Sequence, residues 1–245
     1  MLAYWPSGPL KPQLDENSVH VWCAELAQPQ ERIDGYRSLL SADELERAVR
    51  FRFDRHRNDY IAGRGMLRVL LGRYLKHPPE AAKISYSHYG KPLLPDNRLQ
   101  FNLAHSGGLA LFVFTLHDEV GVDIEQERDL RDALAIAERF FSPSERAALR
   151  ELPDSERVPA FFRCWTRKEA FIKAVGEGLS YPLADFDVTL APGEPARLLS
   201  IRGSEEEARR WSLQSLDLPA GNFGAVALQN PAMQLERWRF PPDLT

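Results

Sequence analysis

Two short helix-start signatures, 101 residues apart, place the strongest limit on how this chain can fold. Ser41-Ala-Asp-Glu44 and Ser142-Pro-Ser-Glu145 each combine a hydroxyl residue with a glutamate three positions later, which is the pattern of a capping box. Pro143 suits the first helical position, because a proline there leaves no backbone N–H unpaired. The recurrence of this pattern predicts that two halves of the chain share one plan.

The same shift brings an apolar-periodic stretch of the first half onto one of the second half. Residues 60–71 and residues 161–172 both have the pattern of amphipathic helices. Strand-like segments follow each helix pair, at 83–86, 100–103 and 109–116 and then at 186–190, 211–216 and 224–228. This order predicts an α+β fold, a pseudo-dimer of two similar halves, each a short, mainly antiparallel sheet packed with helices.

The turn at residues 117–119 is the expected boundary between the halves. It predicts an N-terminal α+β half over residues 1–118 and a C-terminal α+β half over residues 119–245. Ligand sites often lie between two such units. We therefore expect the active site at the junction of the halves.

Composition places the chain among ordinary soluble globular proteins. Its 245 residues are 44% hydrophobic and 27% charged, and its longest apolar run, residues 109–116, is far shorter than the roughly 20 residues of a membrane span. The first residues lack the basic-then-apolar layout of a signal peptide. We expect a cytoplasmic monomer that does not associate with membranes.

The distribution of charge argues against general nucleic-acid binding but leaves a local site open. The formal net charge is −4, yet residues 46–73 hold eight arginines. This stretch is either a solvated helix face or a site for phosphates or an acidic partner, since arginine offers permanently charged donors in a fixed geometry.

Charged side chains interrupt the apolar face of the second long helix. At about 100° per residue, Lys168, Glu169 and Lys173 fall in the arc occupied by the aromatic and aliphatic residues of this segment. A buried carboxylate needs a partner because desolvation without one is costly. Lys173, four residues after Glu169, could form a simple structural ion pair with it, but that pair would leave Lys168 unexplained.

A strand-like segment supplies two further carboxylates. In residues 120–125, strand alternation puts Asp123 and Glu125 on one face. Such a pair is tolerated on a solvated strand, whereas a hard cation between the two would turn repulsion into ligation. Together with Glu169 and its flanking lysines, the pair would suit Mg²⁺ carrying a polyphosphate, with ammonium groups neutralising the phosphate charge that the metal does not cover.

Two turns offer further contacts for an anion. FNLAHSGG, residues 101–108, runs from a strand into a glycine-rich turn whose backbone N–H groups can face a phosphate. His105 and Ser106 lie at that turn, although an isolated histidine there would more often be structural. GKPLLP, residues 90–95, places Lys91 in a second turn.

Taken together, these motifs resemble the paired signature of the 4'-phosphopantetheinyl transferases. GVDIE at 121–125 and WTRKEAFIKAVGEGL at 165–179 carry the likeness, and GKP with FNLAHS is similar to further motifs of the surfactin-synthetase-activating type. The order and spacing agree from about residue 41 to about residue 187. The family's fold is a pseudo-dimer with coenzyme A at its junction, which agrees with the internal offset.

The resemblance implies a reaction and a set of site residues. The reaction is Mg²⁺-dependent transfer of the 4'-phosphopantetheine arm of coenzyme A to a serine of an apo acyl or peptidyl carrier protein, with release of adenosine 3',5'-bisphosphate. The implied metal ligands are Asp123, Glu125 and Glu169, so the C-terminal half is the one that carries most metal ligands. The implied coenzyme contacts are Arg47, Arg64, Lys91, His105, Ser106, Lys168 and Lys173. Of these, Lys168 and Lys173 would hold the pyrophosphate.

The resemblance defines the catalytic base and the residues that bind the 3'-phosphate less closely. Glu169 is the expected base for the serine proton, and Glu145 is a second candidate that its capping box also explains. Ala104 stands where the family often has serine. Glu44 stands where some members carry a basic residue, which leaves the 3'-phosphate contacts open.

Three other functions compete with this one. A non-catalytic module that binds coenzyme A or a carrier protein would keep the fold but would tolerate loss of an acidic residue. A hydrolase built on residues 105–108 or on Cys164 lacks a G-x-S-x-G turn, and Cys23 and Cys164 are expected to be buried thiols. Nucleic-acid binding through the arginine-rich stretch would require salt-sensitive affinity for DNA.

Overall fold

The computed structural model describes residues 5–96, 99–130, 132–232 and 234–241 of the chain, and this part forms the predicted α+β fold. Its helices are α1 (Gln30–Leu39), α2 (Ala42–Val49), α3 (Asp54–Leu75), α4 (Ala133–Phe140), α5 (Pro143–Glu151), α6 (Asp154–Val175) and α7 (Glu205–Ala208). Its strands are β1 (Ser18–Glu25), β2 (Ser85–Tyr86), β3 (Pro92–Leu93), β4 (Gln100–Ser106), β5 (Leu109–Thr115), β6 (Val120–Gln126), β7 (Phe186–Val188), β8 (Leu198–Ile201), β9 (Ser212–Ser215), β10 (Asn222–Leu228) and β11 (Gln234–Arg239).

Two antiparallel three-stranded units have the same strand arrangement. In the first, β1 pairs with β5 and β5 pairs with β4; in the second, β6 pairs with β10 and β10 pairs with β9. β11 extends the first unit by pairing in parallel with β1. Two ribbons, β2 with β3 and β7 with β8, complete the sheets of the described residues.

The helices repeat in the same way. α2 and α5 both begin with a capping box, in which Glu44 and Glu145 accept from the backbone N–H of Ser41 and Ser142. The long helices α3 and α6 follow, each with 22 residues. The chain is therefore built of two similar halves, as its sequence predicts, although its last strand, β11, lies beside β1 of the first half.

Three hydrophobic clusters hold this arrangement together. The first half packs α1, α2 and α3 around Trp22, and the second half packs α4, α5 and α6 around Phe162 and Phe171. A third cluster joins the halves through the faces of β1, β5, β6 and β10, with Val21, Leu111, Val122, Ile124 and Val226 among its members. No helix in the described ranges is long and apolar enough to cross a bilayer.

Candidate active site

Strands β4 and β6 lie side by side where the two sheets meet, and side chains join them. The backbone N–H of Val122 donates to Oδ1 of Asn102 at 3.1 Å, and that of Gln126 donates to Oγ of Ser106 at 3.0 Å. The Ser106 hydroxyl donates in turn to Oε2 of Glu125 at 3.1 Å. The predicted phosphate turn and the predicted acidic strand are therefore neighbours, and the Ser106 side chain links them by hydrogen bonds.

Helix α6 crosses β6 at very short range because position 121 is glycine. A Cβ atom on Gly121 would lie 2.2 Å from the carbonyl oxygen of Ala170 and 2.3 Å from the backbone nitrogen of Ala174. Neither backbone atom could move aside without displacing the helix. This close approach places residues 169–173 of α6 against the strand face that carries Asp123.

Asp123 is the most deeply buried of the three predicted metal ligands, with 4% of its surface exposed. Nζ of Lys173 donates to its Oδ1 at 2.6 Å, whereas its Oδ2 has no hydrogen-bond partner among the described residues. Burial raises the pKa of Asp123, Lys173 opposes this rise and the charges of Glu169 and Glu125 add to it, which together bring the pKa to about 7. An unpaired carboxylate oxygen beside two more carboxylates is a donor set that hard divalent cations prefer.

Glu169 and Glu125 flank Asp123 but stay more accessible. Burial raises the pKa of Glu169, Lys173 opposes that rise, and the charge of Glu125 adds to it. Glu125 lies 3.5 Å from the guanidinium of Arg128. Across the described residues no three His, Cys, Asp or Glu side chains are arranged to hold a metal ion. Lys173 takes up one of the two carboxylate oxygens of Asp123.

Asp123, Glu125 and Glu169 form an acidic cluster. A cleft of about 320 Å³ leads from this cluster across the first half. Its lining includes Arg47, Tyr60, Arg64, Tyr86, Pro92, His105 and Lys173. A recess of about 280 Å³ shares Gly90, Pro92, Leu103 and Lys173 with this cleft and extends to Glu169. The cleft and the recess together form one groove, which lies between the arginine-rich stretch of residues 46–73 and the acidic cluster.

Basic side chains face this groove from both halves. His105 is exposed to the cleft, whose walls still desolvate its ring enough to lower the pKa, and the charges of Lys173 and Arg47 lower it further. The guanidinium of Arg47 lies 5.6 Å from the centre of the Tyr60 ring. A cleft lined by the cations Arg47, Arg64 and Lys173 suits a polyanionic ligand.

Arg64 reaches the cleft wall because Glu44 holds it there. Its Nε donates to Oε1 of Glu44 at 2.6 Å, and one terminal nitrogen donates to the Tyr86 hydroxyl at 3.0 Å. Burial works to raise the pKa of Glu44, yet Arg64 and Arg68 hold it below the ordinary value. Glu44 is thus the anchor of two arginines, which explains an acidic residue at a position where a basic one is expected.

Lys168 and Glu145 lie outside the groove, contrary to expectation. Lys168 is fully buried, and its Nζ donates to the carbonyl oxygens of Leu183 at 2.7 Å and Phe186 at 2.6 Å and pairs with Glu145 at 2.8 Å. Glu145 also accepts from the backbone N–H groups of Ser142 and Val188. These contacts correct the assignments of Lys168 to the pyrophosphate and of Glu145 as a base, because α6 directs Lys168 into the core of the second half.

Lys91 also has protein partners. Its ammonium donates to Oε2 of Glu119 at 2.8 Å and to the carbonyl oxygen of Ala174 at 2.7 Å. The adjacent residues Gly90 and Pro92 line the cleft. Lys91 therefore lies at the edge of the groove with its charge directed to the second half.

Both cysteines are free and buried, as predicted. Burial raises the pKa of the Cys23 thiol to about 12 and that of Cys164 well above its ordinary value. A thiol attacks as its thiolate, so neither residue is poised as a nucleophile. Burial of both thiols therefore disfavours a cysteine hydrolase.

Sequence reasoning missed three residues that build the groove. The sequence holds a signal for two of them. Asn102 is a polar amide within the apolar segment FNLAHS, and Gly121 is the glycine that opens GVDIE. Tyr86, which lines the cleft and is 43% exposed, carries no comparable signal because its strand has two residues.

Comparison with known proteins gives concordant matches. Residues 119–229 match the model of the 4'-phosphopantetheinyl transferase superfamily, and residues 28–115 match that of the 4'-phosphopantetheinyl transferase N-terminal region. The chain is 39% identical to the 4'-phosphopantetheinyl transferase HetI of Nostoc sp., over 96% of this chain and 98% of that protein. It is 37% and 34% identical to the Bacillus subtilis 4'-phosphopantetheinyl transferases ffp and Sfp, each over 66% of this chain and 71% of the relative.

Proposed function

The chain belongs to the 4'-phosphopantetheinyl transferases, enzymes that transfer phosphopantetheine from coenzyme A to carrier proteins, and we propose that its reaction requires Mg²⁺ and releases adenosine 3',5'-bisphosphate. The acceptor in this proposal is a serine of an apo acyl or peptidyl carrier protein. The observation that carries it is the meeting of Asp123, Glu169 and Lys173 at one end of a cleft whose other end is lined by Arg47 and Arg64.

The acidic cluster fits a divalent cation. Asp123 has a buried oxygen to which no residue in the described part of the chain donates a hydrogen bond, and the charges of Glu169 and Glu125 help to raise its pKa. Carboxylate oxygens are the ligands that Mg²⁺ prefers, and we assign Asp123, Glu125 and Glu169 as the residues that would hold it. When bound, Mg²⁺ would neutralise charge on the pyrophosphate.

The basic residues of the groove position the coenzyme. Phosphoryl transfer asks a protein mainly for alignment and for neutralisation of phosphate charge. Lys173 lies where the acidic cluster and the cleft meet, so its ammonium can pass from Asp123 to the pyrophosphate. Arg47 and Arg64 supply positive charge farther along the groove, and His105 offers a ring N–H donor there.

Glu169 is the base that we assign to the serine proton. It lines the groove next to Lys173, is only partly buried and can reach a bound hydroxyl directly or through one water. As the serine oxygen bonds to the β-phosphorus of coenzyme A, the bond from that phosphorus to the bridging oxygen breaks. The bisphosphate leaves with the electron pair, and Glu169 accepts the proton.

Two alternatives have less support. A non-catalytic binding module would not need to keep all three carboxylates together with Lys173. Nucleic-acid binding is disfavoured because the formal net charge is −4 and Arg68, one arginine of the basic stretch, is buried against Glu44.

The test is to mix the protein with coenzyme A, Mg²⁺ and several apo carrier proteins and to record their masses. We expect one carrier to gain the mass of the phosphopantetheine arm, with an equal amount of adenosine 3',5'-bisphosphate released and no reaction in excess EDTA. Equal rates with and without EDTA would contradict the metal assignment. Absence of modification on every carrier would contradict the transfer.

A further inference from the structure

One wall of the cleft is a hairpin with a firmly closed turn. β2 and β3 pair at Ser85 with Leu93 and at Tyr86 with Pro92. Within the turn, the N–H of Ser87 donates to the carbonyl of Lys91 at 2.9 Å, and the N–H of Lys91 donates to the Ser87 hydroxyl at 3.1 Å. These bonds fix the backbone from which the Lys91 side chain extends.

The Lys91 ammonium joins this hairpin to both elements that carry the acidic cluster. Ala174, whose carbonyl it contacts at 2.7 Å, lies in the last turn of α6, where carbonyls lack helical partners and the helix dipole favours a cation. Glu119, its other partner at 2.8 Å, directly precedes β6. One side chain of the first half therefore holds the end of α6 and the start of β6.

The side-chain stem is also confined. A Cβ atom on Gly176, whose φ is +85°, would lie 3.2 Å from Cδ of Lys91. The Lys91 side chain is 13% exposed. Two of the three ammonium donors already have protein acceptors, so little capacity remains for a phosphate.

We propose that Lys91 is a positioning residue, which latches the β2–β3 hairpin to the C-terminal end of α6 and so fixes the width of the coenzyme cleft. The latch thereby joins the hairpin residues Tyr86 and Pro92 to the helix that carries Lys173, and all three residues line the cleft. This inference rests on the proposed function in that coenzyme A is taken as the ligand of the cleft. It differs from the expectation that Lys91 contacts a coenzyme phosphate.

Glu119→Gln separates the two roles, because Glu119 is not among the described residues that line the groove. A latch predicts that this substitution weakens coenzyme A binding by about threefold, as expected for loss of one partly exposed ion pair. A direct phosphate contact predicts unchanged or tighter binding, since the freed ammonium would be available to the ligand. Calorimetric titration with coenzyme A measures the difference.

Variants at Lys91 complete the test. Lys91→Met should weaken binding by about tenfold and raise KM for coenzyme A while kcat changes by less than about twofold, because both charge-assisted bonds are lost. Lys91→Arg should restore most of the affinity. Combined with Lys91→Met, Glu119→Gln should add nothing further, since the two residues act through one contact.

A second readout needs no ligand. Both Lys91→Met and Glu119→Gln should speed hydrogen exchange at the amides of Ser87, Gly90 and Lys91 in the free protein, whereas Lys83→Met and Glu80→Gln, at exposed neighbouring positions, should not. Wild-type exchange together with wild-type or tighter coenzyme binding in Glu119→Gln would overturn the latch. A wild-type protein that bound no coenzyme A would instead contradict the proposed function. The hydrogen-exchange rates would still show whether Lys91 holds the hairpin to α6.

Discussion

Glu145 and Lys168 form a buried ion pair, with 2.8 Å between Oε2 and Nζ, that repeats the pair of Glu44 and Arg68 in the other half. Each glutamate belongs to a capping box, and each cation lies on a 22-residue helix. Each cation also donates to a carbonyl beyond its helix, Arg68 to Ala82 at 3.0 Å and Lys168 to Leu183 at 2.7 Å. The repeated pair thus fastens a short helix to a long one in both halves.

Lys168→Met should unfold more easily than the wild type without a specific loss of coenzyme affinity. Removing one partner leaves the Glu145 carboxylate buried and uncompensated, which costs about 3–5 kcal/mol. Denaturant unfolding measures this loss. The double variant Glu145→Gln with Lys168→Met should recover part of it, because no charge then remains unpaired. Weaker coenzyme binding at wild-type stability would instead support a contact of Lys168 with the pyrophosphate.

Asp123→Asn and Glu169→Gln should each lower the transfer rate by on the order of 10²–10³-fold, because each removes a carboxylate from the proposed metal site. Mass spectrometry of the carrier protein gives the rate, and circular dichroism checks that the fold persists. Glu127→Gln, a matched change at an exposed carboxylate near β6, should keep the wild-type rate. Transfer by Asp123→Asn at the wild-type rate under limiting Mg²⁺ would contradict the ligand assignment.

Gly121→Ala should destabilise the protein by about 1–3 kcal/mol or more and should also impair transfer, because the new methyl group meets the backbone of α6 and displaces Glu169 and Lys173. Thermal unfolding and the transfer rate are the measurements. Gly35→Ala, on helix α1, is the matched control, since apart from the backbone of its own helix no atom of the described residues lies within 4 Å of its added Cβ. It should stabilise the protein by about 0.5–1 kcal/mol. Equal stabilities of the two variants would refute the close helix approach.

His20 should make stability fall as the pH drops from 6.5 toward 4. Burial lowers its pKa from 6.5 to about 4, with Asp15 opposing, so the unfolded chain binds a proton in this range that the folded chain does not. Its Nδ1 lies 2.8 Å from the Tyr74 hydroxyl. Between pH 7 and pH 5 this group should remove about 2 kcal/mol of unfolding free energy. Urea titrations should show a smaller pH dependence in His20→Gln, and an unchanged one would refute the assignment.

Some features of the groove can be predicted from sequence patterns alone. Strand alternation alone places Asp123 and Glu125 on one face of β6, and capping boxes alone locate the starts of α2 and α5. These features depend on neighbours within a few residues, so local periodicity determines them. Strand β1 has no such pattern, because seven of its eight residues are buried and the alternation between inside and outside is lost.

The tertiary structure alone decided which lysine of α6 serves the groove. Lys168 and Lys173 lie in one broad arc of the helix, and the sequence assigns both to phosphate. The fold separates them, because Gly121 lets β6 approach the side of α6 that carries Lys173, while Glu145 and two backbone carbonyls surround Lys168. The partners of a buried charge come from residues distant in sequence, so only long-range packing determines whether a lysine neutralises a glutamate or remains available to a ligand.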